Sequence, residues 1–158
     1  MYTVQQLLSQ GKRDLLLYRP PFAPKDPYQY YTNVSKKKGT LRTSKKGREV
    51  KGKDGNGSYT LQEYSSRRTG DSKRGGKSGK AGINRKVYVK WYGAKKKSSP
   101  CWVSCTCEFF MYYCEMALTH EGSSSEKHSD GSSPGKTNKQ ELPYICKHVY
   151  AALLMTFK

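Results

Sequence analysis

The strongest constraint on the fold of this 158-residue chain comes from two short pairs of residues of types that bind metals, separated by 38 residues. Cys105-Thr-Cys107 has the i, i+2 spacing that puts two side chains on the same face of a β-strand. Inside a helix, the same spacing in Cys146-Lys-His148 would put the side chains about 200° apart. Because Pro143 comes shortly before this pair, we expect Cys146 to precede a helix and His148 to lie in its first turn. The two pairs could then bind one ion.

This set of four ligands predicts a structural zinc site made of Cys105, Cys107, Cys146 and His148. Three thiolates and one imidazole complete a tetrahedral shell for Zn2+, which leaves no position for water or a substrate. The metal is therefore expected to stabilise the fold, and the chain is not expected to be an enzyme. The sequence also lacks a His-Glu-x-x-His motif and a pair of carboxylates in an apolar setting.

The remaining cysteine and histidine residues leave alternatives open. Cys101 shares the strand parity of the Cys-Thr-Cys pair, but an extended strand places it about 13 Å from the nearer cysteine. Cys114 lies among aromatic residues and is expected to be a small buried apolar side chain. His120 and His128 lie in or beside a polar loop, where we expect them to be solvated, although either could replace His148 as a ligand. The alternative to a metal site is a set of unrelated free thiols.

The order and flanks of the two ligand pairs resemble the SWIM-type zinc finger, whose pattern is Cys-x-Cys, a spacer and Cys-x-His. The strand-like run Lys-Val-Tyr-Val-Lys-Trp-Tyr before the first pair and the Val-Tyr-Ala-Ala-Leu run after His148 also resemble that family. The resemblance covers about residues 85–155, and the spacer is longer than is usual in such fingers. It implies a structural Zn2+ and binding to DNA, RNA or protein. A compact finger behind a basic arm is also similar to small proteins encoded by tailed bacteriophages.

The region around the first ligand pair predicts a β-hairpin. Residues 85–93 alternate, which places Val87, Val89 and Trp91 on one face of a strand. After a Lys-rich loop, residues 101–107 have the composition of a second strand. The two segments are therefore expected to pair in an antiparallel hairpin.

Two helices are predicted after this hairpin. Residues 108–118 have apolar side chains at helical spacing, and Gly122 follows as a stop. A polar loop at 121–140 separates this segment from a final helix at about 147–157. The fold class expected is α+β, with a small zinc-stabilised ββα-type module, a hairpin plus helices, over residues 85–158.

The first 34 residues predict a short helix followed by a strap rich in proline and aromatic residues. A Thr-Val-Gln-Gln capping box begins a helix at about residues 3–10, and Gly11 is expected to end it. Four of the seven prolines lie between Pro20 and Pro27. We expect the segment from Leu15 onward to be extended, because proline interrupts helices.

Positive charge is concentrated in the first 100 residues, which contain 25 Lys and Arg against 6 Asp and Glu, whereas residues 101–158 contain 5 and 6. Residues 35–84 are rich in Lys, Arg, Gly and Ser, so we expect a long basic, largely irregular N-terminal arm. One exception is Asp54-Gly-Asn-Gly57, whose strong turn chemistry between two partly alternating runs predicts a β-hairpin within the arm.

The basic arm predicts binding to a polyanion, with largely sequence-independent affinity that salt weakens. Tyrosine, present 13 times, could stack on exposed bases. The candidate polyanion-binding residues are Lys36, Lys37, Lys38, Arg42, Lys45, Lys46, Arg48, Lys51, Lys53, Arg67, Arg68, Lys73, Arg74, Lys77 and Lys80.

The partners expected are nucleic acid (DNA or RNA), protein subunits of a larger assembly, or both, without a membrane or a small-molecule substrate. The alternative function is a structural or assembly protein of a large complex such as a phage virion, whose arm threads across neighbouring subunits. The start of the sequence has neither the basic nor the apolar region of a signal peptide, so an intracellular protein, cytoplasmic or in a virus particle assembled there, is expected.

Overall fold

The computed structural model describes residues 1–17, 43–67, 84–125, 138 and 140–157, which form an α+β fold, as predicted. In chain order the elements are helix α1 (Val4–Leu17), strands β1 (Thr43–Asp54), β2 (Gly57–Arg67), β3 (Asn84–Tyr92) and β4 (Cys101–Cys105), a π-helical turn (Phe110–Cys114), helix α2 (Glu115–His120) and helix α3 (Lys147–Thr156). The predicted strap at residues 18–34 lies outside the described residues. None of the helices in the described ranges is long and apolar enough to cross a membrane.

Strands β1 and β2 form the hairpin that the Asp-Gly-Asn-Gly turn predicted. The Asn56 amide donates a hydrogen bond to Asp54 Oδ1 at 2.9 Å, and Gly57 has a φ of 111°, in the region that favours glycine. All four strands form one antiparallel sheet in the order β1-β2-β3-β4. The hairpin that these turn residues define therefore forms one edge of a larger sheet.

The pairing of β2 with β3 corrects the expectation of a largely irregular arm for residues 43–67. The two strands pair from Tyr59 opposite Tyr92 to Arg67 opposite Asn84, so the hairpin is continuous with the sheet of the C-terminal half. The physical reason is a long-range contact of β2. Tyr64 is only 4% exposed, and its hydroxyl lies 2.6 Å from Thr156 Oγ1 at the end of α3. Burial of this residue outweighs the local Lys- and Gly-rich composition, which indicated little ordered structure.

The core lies between the sheet and the helices, on the side of β3 that the alternation predicted. Val87, Val89 and Trp91 are all buried there. The Trp91 ring meets the Phe157 ring edge to face, with the centroids 5.4 Å apart. Helix α3 covers this side of the sheet, and its predicted inward residues are buried: Val149, Ala152, Leu153 and Phe157. The final helix is therefore confirmed.

Helix α1 begins at the predicted capping box. The Thr3 amide donates to Gln6 Oε1 at 2.8 Å, and the Gln6 amide donates to Thr3 Oγ1 at 3.2 Å. These reciprocal bonds satisfy two amides that the first turn of a helix leaves without partners. The capping-box prediction is confirmed.

Gly11 does not end α1, which continues to Leu17, so the predicted stop at Gly11 and the predicted extended segment from Leu15 were wrong. The glycine is a site of close approach instead. A Cβ at this position would lie 2.6 Å from Ile145 Cδ1 and 2.7 Å from Tyr150 Cδ2. Glycine therefore allows α1 to pack closely against α3 and the segment before it, a requirement that local helix signals do not reveal.

The helical segment after the first ligand pair, predicted at 108–118, is confirmed, but it contains the π-helical turn Phe110–Cys114. Asn138 is buried and ties this turn to the chain that leads to α3. Its Nδ2 donates to the Tyr113 and Leu142 carbonyls at 2.9 and 2.8 Å, and its Oδ1 accepts from the Leu142 amide at 3.0 Å. Gly122, with a φ of 69°, follows the helix, as predicted.

Candidate metal centre

The four side chains of the two ligand pairs come together on the core side of the sheet. The sulfur atoms of Cys105, Cys107 and Cys146 and a ring nitrogen of His148 all lie within 4.8 Å of one another. Cys105 Sγ and His148 Nδ1 are 3.9 Å apart. A tetrahedral zinc with Zn–S bonds of about 2.3 Å separates neighbouring sulfurs by about 3.8 Å. The cluster therefore has the size of a four-coordinate site, and the predicted ligand set is brought together.

The elements that position the ligands are the end of β4 and the start of α3. Cys105 is the last residue of β4, Cys146 is the N-cap of α3 and His148 lies in its first turn, as predicted. Cys107, however, lies beyond β4. The expectation that strand alternation alone aligns the first pair was therefore wrong. The chain turns after Thr106, whose backbone amide donates to the Lys86 carbonyl on β3 at 3.0 Å, and Cys107 enters the following helical turn.

Two of the three sulfurs accept hydrogen bonds at the start of a helical segment. The Phe110 amide donates to Cys107 Sγ at 3.4 Å, and the Val149 amide donates to Cys146 Sγ at 3.4 Å. Both bonds run from residue i+3 to the sulfur of residue i, the arrangement of an N-cap side chain. A helix N-terminus favours negative charge, so both positions suit a thiolate. The sequence signal for this feature is a cysteine immediately before a helical run.

The pKa values of the three cluster thiols are shifted in different directions. Hydrogen bonds from Cys105 and Cys146, together with His148, lower the pKa of Cys107 well below its ordinary value. The pKa of Cys105 is raised, chiefly by its hydrogen bond to Cys107, and burial raises the pKa of Cys146. Like charges so close together oppose full ionisation. A divalent cation bound among the sulfurs would offset this repulsion. A metal site with three thiolate ligands requires such compensation.

The burial of the cluster leaves little room for substrate access. Cys105, Cys107 and Cys146 are 0%, 6% and 2% exposed, and His148 is partly buried. The ligands present fit a closed structural site, because three soft thiolates and an imidazole match the donor set of tetrahedral structural zinc.

Three of the other candidate ligands are described, and they lie outside the cluster. Cys101 and Cys114 are buried cysteines that form no disulfide, and neither belongs to the cluster, as predicted. The Cys114 thiol donates to the Phe109 carbonyl at 3.8 Å. His120 is about half exposed and pairs with Glu141 at 2.8 Å, where simple solvation was expected. His128 lies outside the described residues.

The predicted polyanion-binding residues are described in part. Lys45, Lys46 and Arg67 lie on β1 and β2, and the side chains of Arg48, Lys51 and Lys53 are exposed on β1. The other nine lie outside the described residues: Lys36, Lys37, Lys38, Arg42, Arg68, Lys73, Arg74, Lys77 and Lys80. Their role stays a prediction.

A fixed cation that sequence reasoning missed is Lys90 of β3. Its Nζ lies 3.0 Å from Asp54 Oδ2 and 4.9, 5.3 and 5.2 Å from the ring centroids of Tyr59, Tyr92 and Trp102. Desolvation alone would raise the pKa of Asp54, but hydrogen bonds from Lys90, the Asn56 amide and Tyr92 lower it. Alternation along β3 predicts only that Lys90 shares a face with Tyr88 and Tyr92. Its contacts with Asp54 of β1, Tyr59 of β2 and Trp102 of β4 depend on the strand register, which the local sequence does not reveal.

Comparison of the chain with protein-family models, with curated proteins and with solved structures finds no match of any of the three kinds. The SWIM-type resemblance is therefore a prediction from the motif alone.

Proposed function

We propose that this chain is a non-catalytic module, folded around one structural Zn2+, that binds nucleic acid through its positive charge. The observation that carries the zinc assignment is the buried cluster of three cysteine sulfurs and one histidine nitrogen within 4.8 Å. A complete protein shell of this composition serves a structural role, because it offers the metal no exchangeable position. The SWIM-type resemblance supports the same assignment.

The charge of the sheet region supports nucleic acid as the partner. Residues 43–67 and 84–100 contain 12 Lys and Arg against 3 Asp and Glu. Two of these acids are already paired, Asp54 with Lys90 and Glu63 with Lys86. Arg48, Lys51 and Lys53 are exposed on the edge strand β1, where they can meet phosphates. The other candidate polyanion-binding residues would extend this footprint.

Binding is expected to weaken steeply with salt, because each phosphate contact releases counterions. With the full-length, zinc-loaded protein and a labelled oligonucleotide, we expect log K to fall against log salt with a slope of about −3 or steeper, equivalent to roughly four or five phosphate contacts on a single strand. Fluorescence anisotropy between 50 and 300 mM NaCl measures this slope.

The matched variants for this measurement change charge without changing the core. Replacing Arg48, Lys51 and Lys53 with Gln should make the slope shallower, by about 2 if all three contact phosphates. Lys12→Gln, on α1, is the control and should leave the slope nearly unchanged. A flat slope for the wild type, or no binding at the lowest salt, would remove nucleic acid as the partner and favour the assembly role.

A further inference from the structure

The side of the sheet opposite α3 presents a group of aromatic residues. Val87, Val89 and Trp91 face the core, so alternation directs Tyr88, Lys90 and Tyr92 to the other side of β3. Strand register then brings cross-strand neighbours to the same side. Tyr59 and Leu61 of β2 stand opposite Tyr92 and Lys90, and Trp102 of β4 stands opposite Lys90. We call this surface the open face: Tyr59, Leu61, Tyr88, Lys90, Tyr92 and Trp102.

The open face remains partly accessible. Tyr59, Tyr88 and Trp102 are each partly exposed, and Val50 on the neighbouring β1 is 36% exposed. Among the described helices, α3 packs on the opposite side of the sheet, where Phe157 meets Trp91 and Thr156 meets Tyr64. Several partly exposed aromatic rings together on one sheet face indicate a binding surface.

The rings of the open face are held in place before any partner binds. Lys90 Nζ lies within 5.3 Å of the ring centroids of Tyr59, Tyr92 and Trp102. Tyr59 and Tyr92 also contact each other edge to face at 6.2 Å, and Trp102 Nε1 donates to Ser125 Oγ at 3.1 Å. A surface whose side chains are already ordered loses less entropy on binding. These contacts therefore favour recognition by flat stacking.

Lysine residues lie near both ends of the aromatic centre of the open face. Asp54 neutralises Lys90 at the centre, 3.0 Å away. At one end of β3, Lys86 is exposed on the same side of the sheet and pairs with Glu63, which stands opposite Tyr88. At the other end, Lys96 and Lys97 are exposed in the loop after β3, whereas Lys95 lies over the core-side Trp91 ring. Lys86 and Tyr92 on this strand are about 20 Å apart from the rise per residue. A partner that offers both flat rings and a chain of negative charges complements this pattern.

We infer that the open face binds single-stranded nucleic acid, with bases stacked on Tyr59, Tyr88 and Trp102 and phosphates near Lys86, Lys96 and Lys97. This inference rests on the proposed function and specifies its ligand. Unpaired bases expose their faces for stacking on aromatic side chains, whereas a duplex hides them. Stacking tolerates any base, in keeping with sequence-independent binding.

The test compares two labelled probes of the same length, a single-stranded oligothymidylate and a dT·dA duplex, for binding to the zinc-loaded full chain. We expect the single strand to bind more tightly than the duplex. Tyr88→Ala should weaken single-strand binding by about 5- to 150-fold, the range for loss of one stacked base. Tyr88→Phe, which keeps the ring, should bind like the wild type. Tyr112→Ala is the control, because Tyr112 is 64% exposed on the π-helical turn, away from the open face.

Three outcomes would overturn the inference. If Tyr88→Ala and Trp102→Ala, with zinc content and circular dichroism unchanged, bind the single strand like the wild type, the open face is not the site. In that case a steep salt slope would still support the proposed function. Equal or tighter binding of the duplex would likewise reject stacking while keeping a nucleic-acid partner. Absence of binding to either probe at low salt would remove the inference and the proposed function together.

Discussion

Cys146→Ser is expected to abolish metal binding and unfold the C-terminal part of the chain at 25 °C. The substitution removes one sulfur from the cluster but keeps a side-chain acceptor for the Val149 amide, because serine is a favourable N-cap residue. Loss of stability would therefore report on the metal and not on the cap of α3. Structural zinc contributes about 10–16 kcal/mol in small finger peptides at pH 7. That is as large as the total stability of a typical domain, about 5–15 kcal/mol.

Thermal unfolding followed by circular dichroism, with zinc content measured on the same samples, checks this prediction. Cys114→Ala is the matched control, because Cys114 is a buried thiol outside the ligand cluster. It should retain its metal and most of its stability. If Cys146→Ser retained the metal and melted close to the control, the cluster would not be the source of stability.

Phe110→Ala is expected to lower the free energy of unfolding by about 3–5 kcal/mol while the metal site persists. Phe110 is fully buried in the core, and its backbone amide donates a hydrogen bond to Cys107 Sγ. The alanine variant keeps that amide but leaves a cavity. This substitution therefore separates the contribution of packing from that of metal ligation.

Urea denaturation of the zinc-loaded protein measures the effect. Phe109→Ala is the control for size and position, since the Phe109 ring is partly exposed and stacks on Tyr113 with centroids 4.7 Å apart. Its loss should be clearly smaller. An equal loss for both variants, or loss of zinc in Phe110→Ala, would show that the packing and ligation roles assigned to this turn are wrong.

Local signals in the sequence predicted the parts of the fold that depend on near neighbours. The capping box at Thr3, the alternation of Val87, Val89 and Trp91, and the start of α3 after Cys146 were each correct. These features involve hydrogen bonds or periodicities within one element.

Two of the incorrect predictions depend on contacts between distant residues. Gly11 carries a helix-stop signal, but its role is set by Ile145 and Tyr150. The hairpin of β1 and β2 looked isolated because its composition is poor in apolar residues, whereas Tyr64 joins it to α3 through Thr156. Neither partner can be identified from the local sequence.

The ligand cluster was predicted correctly in membership but only partly in geometry. Spacing alone identified Cys105, Cys107, Cys146 and His148, because each pair has few conformations in which both members face one ion. The sequence did not predict that Cys107 leaves the strand and receives an amide hydrogen bond from Phe110. The open face escaped prediction for a related reason, since it is assembled by the register of β2, β3 and β4.

X-ray absorption at the zinc edge, combined with native mass spectrometry of the purified full chain, tests the central claim most directly. The cluster predicts one zinc per chain, with three sulfur neighbours at about 2.3 Å and one nitrogen neighbour at about 2.0–2.1 Å. A folded chain that carries no metal, or a zinc surrounded mainly by oxygen, would contradict the account.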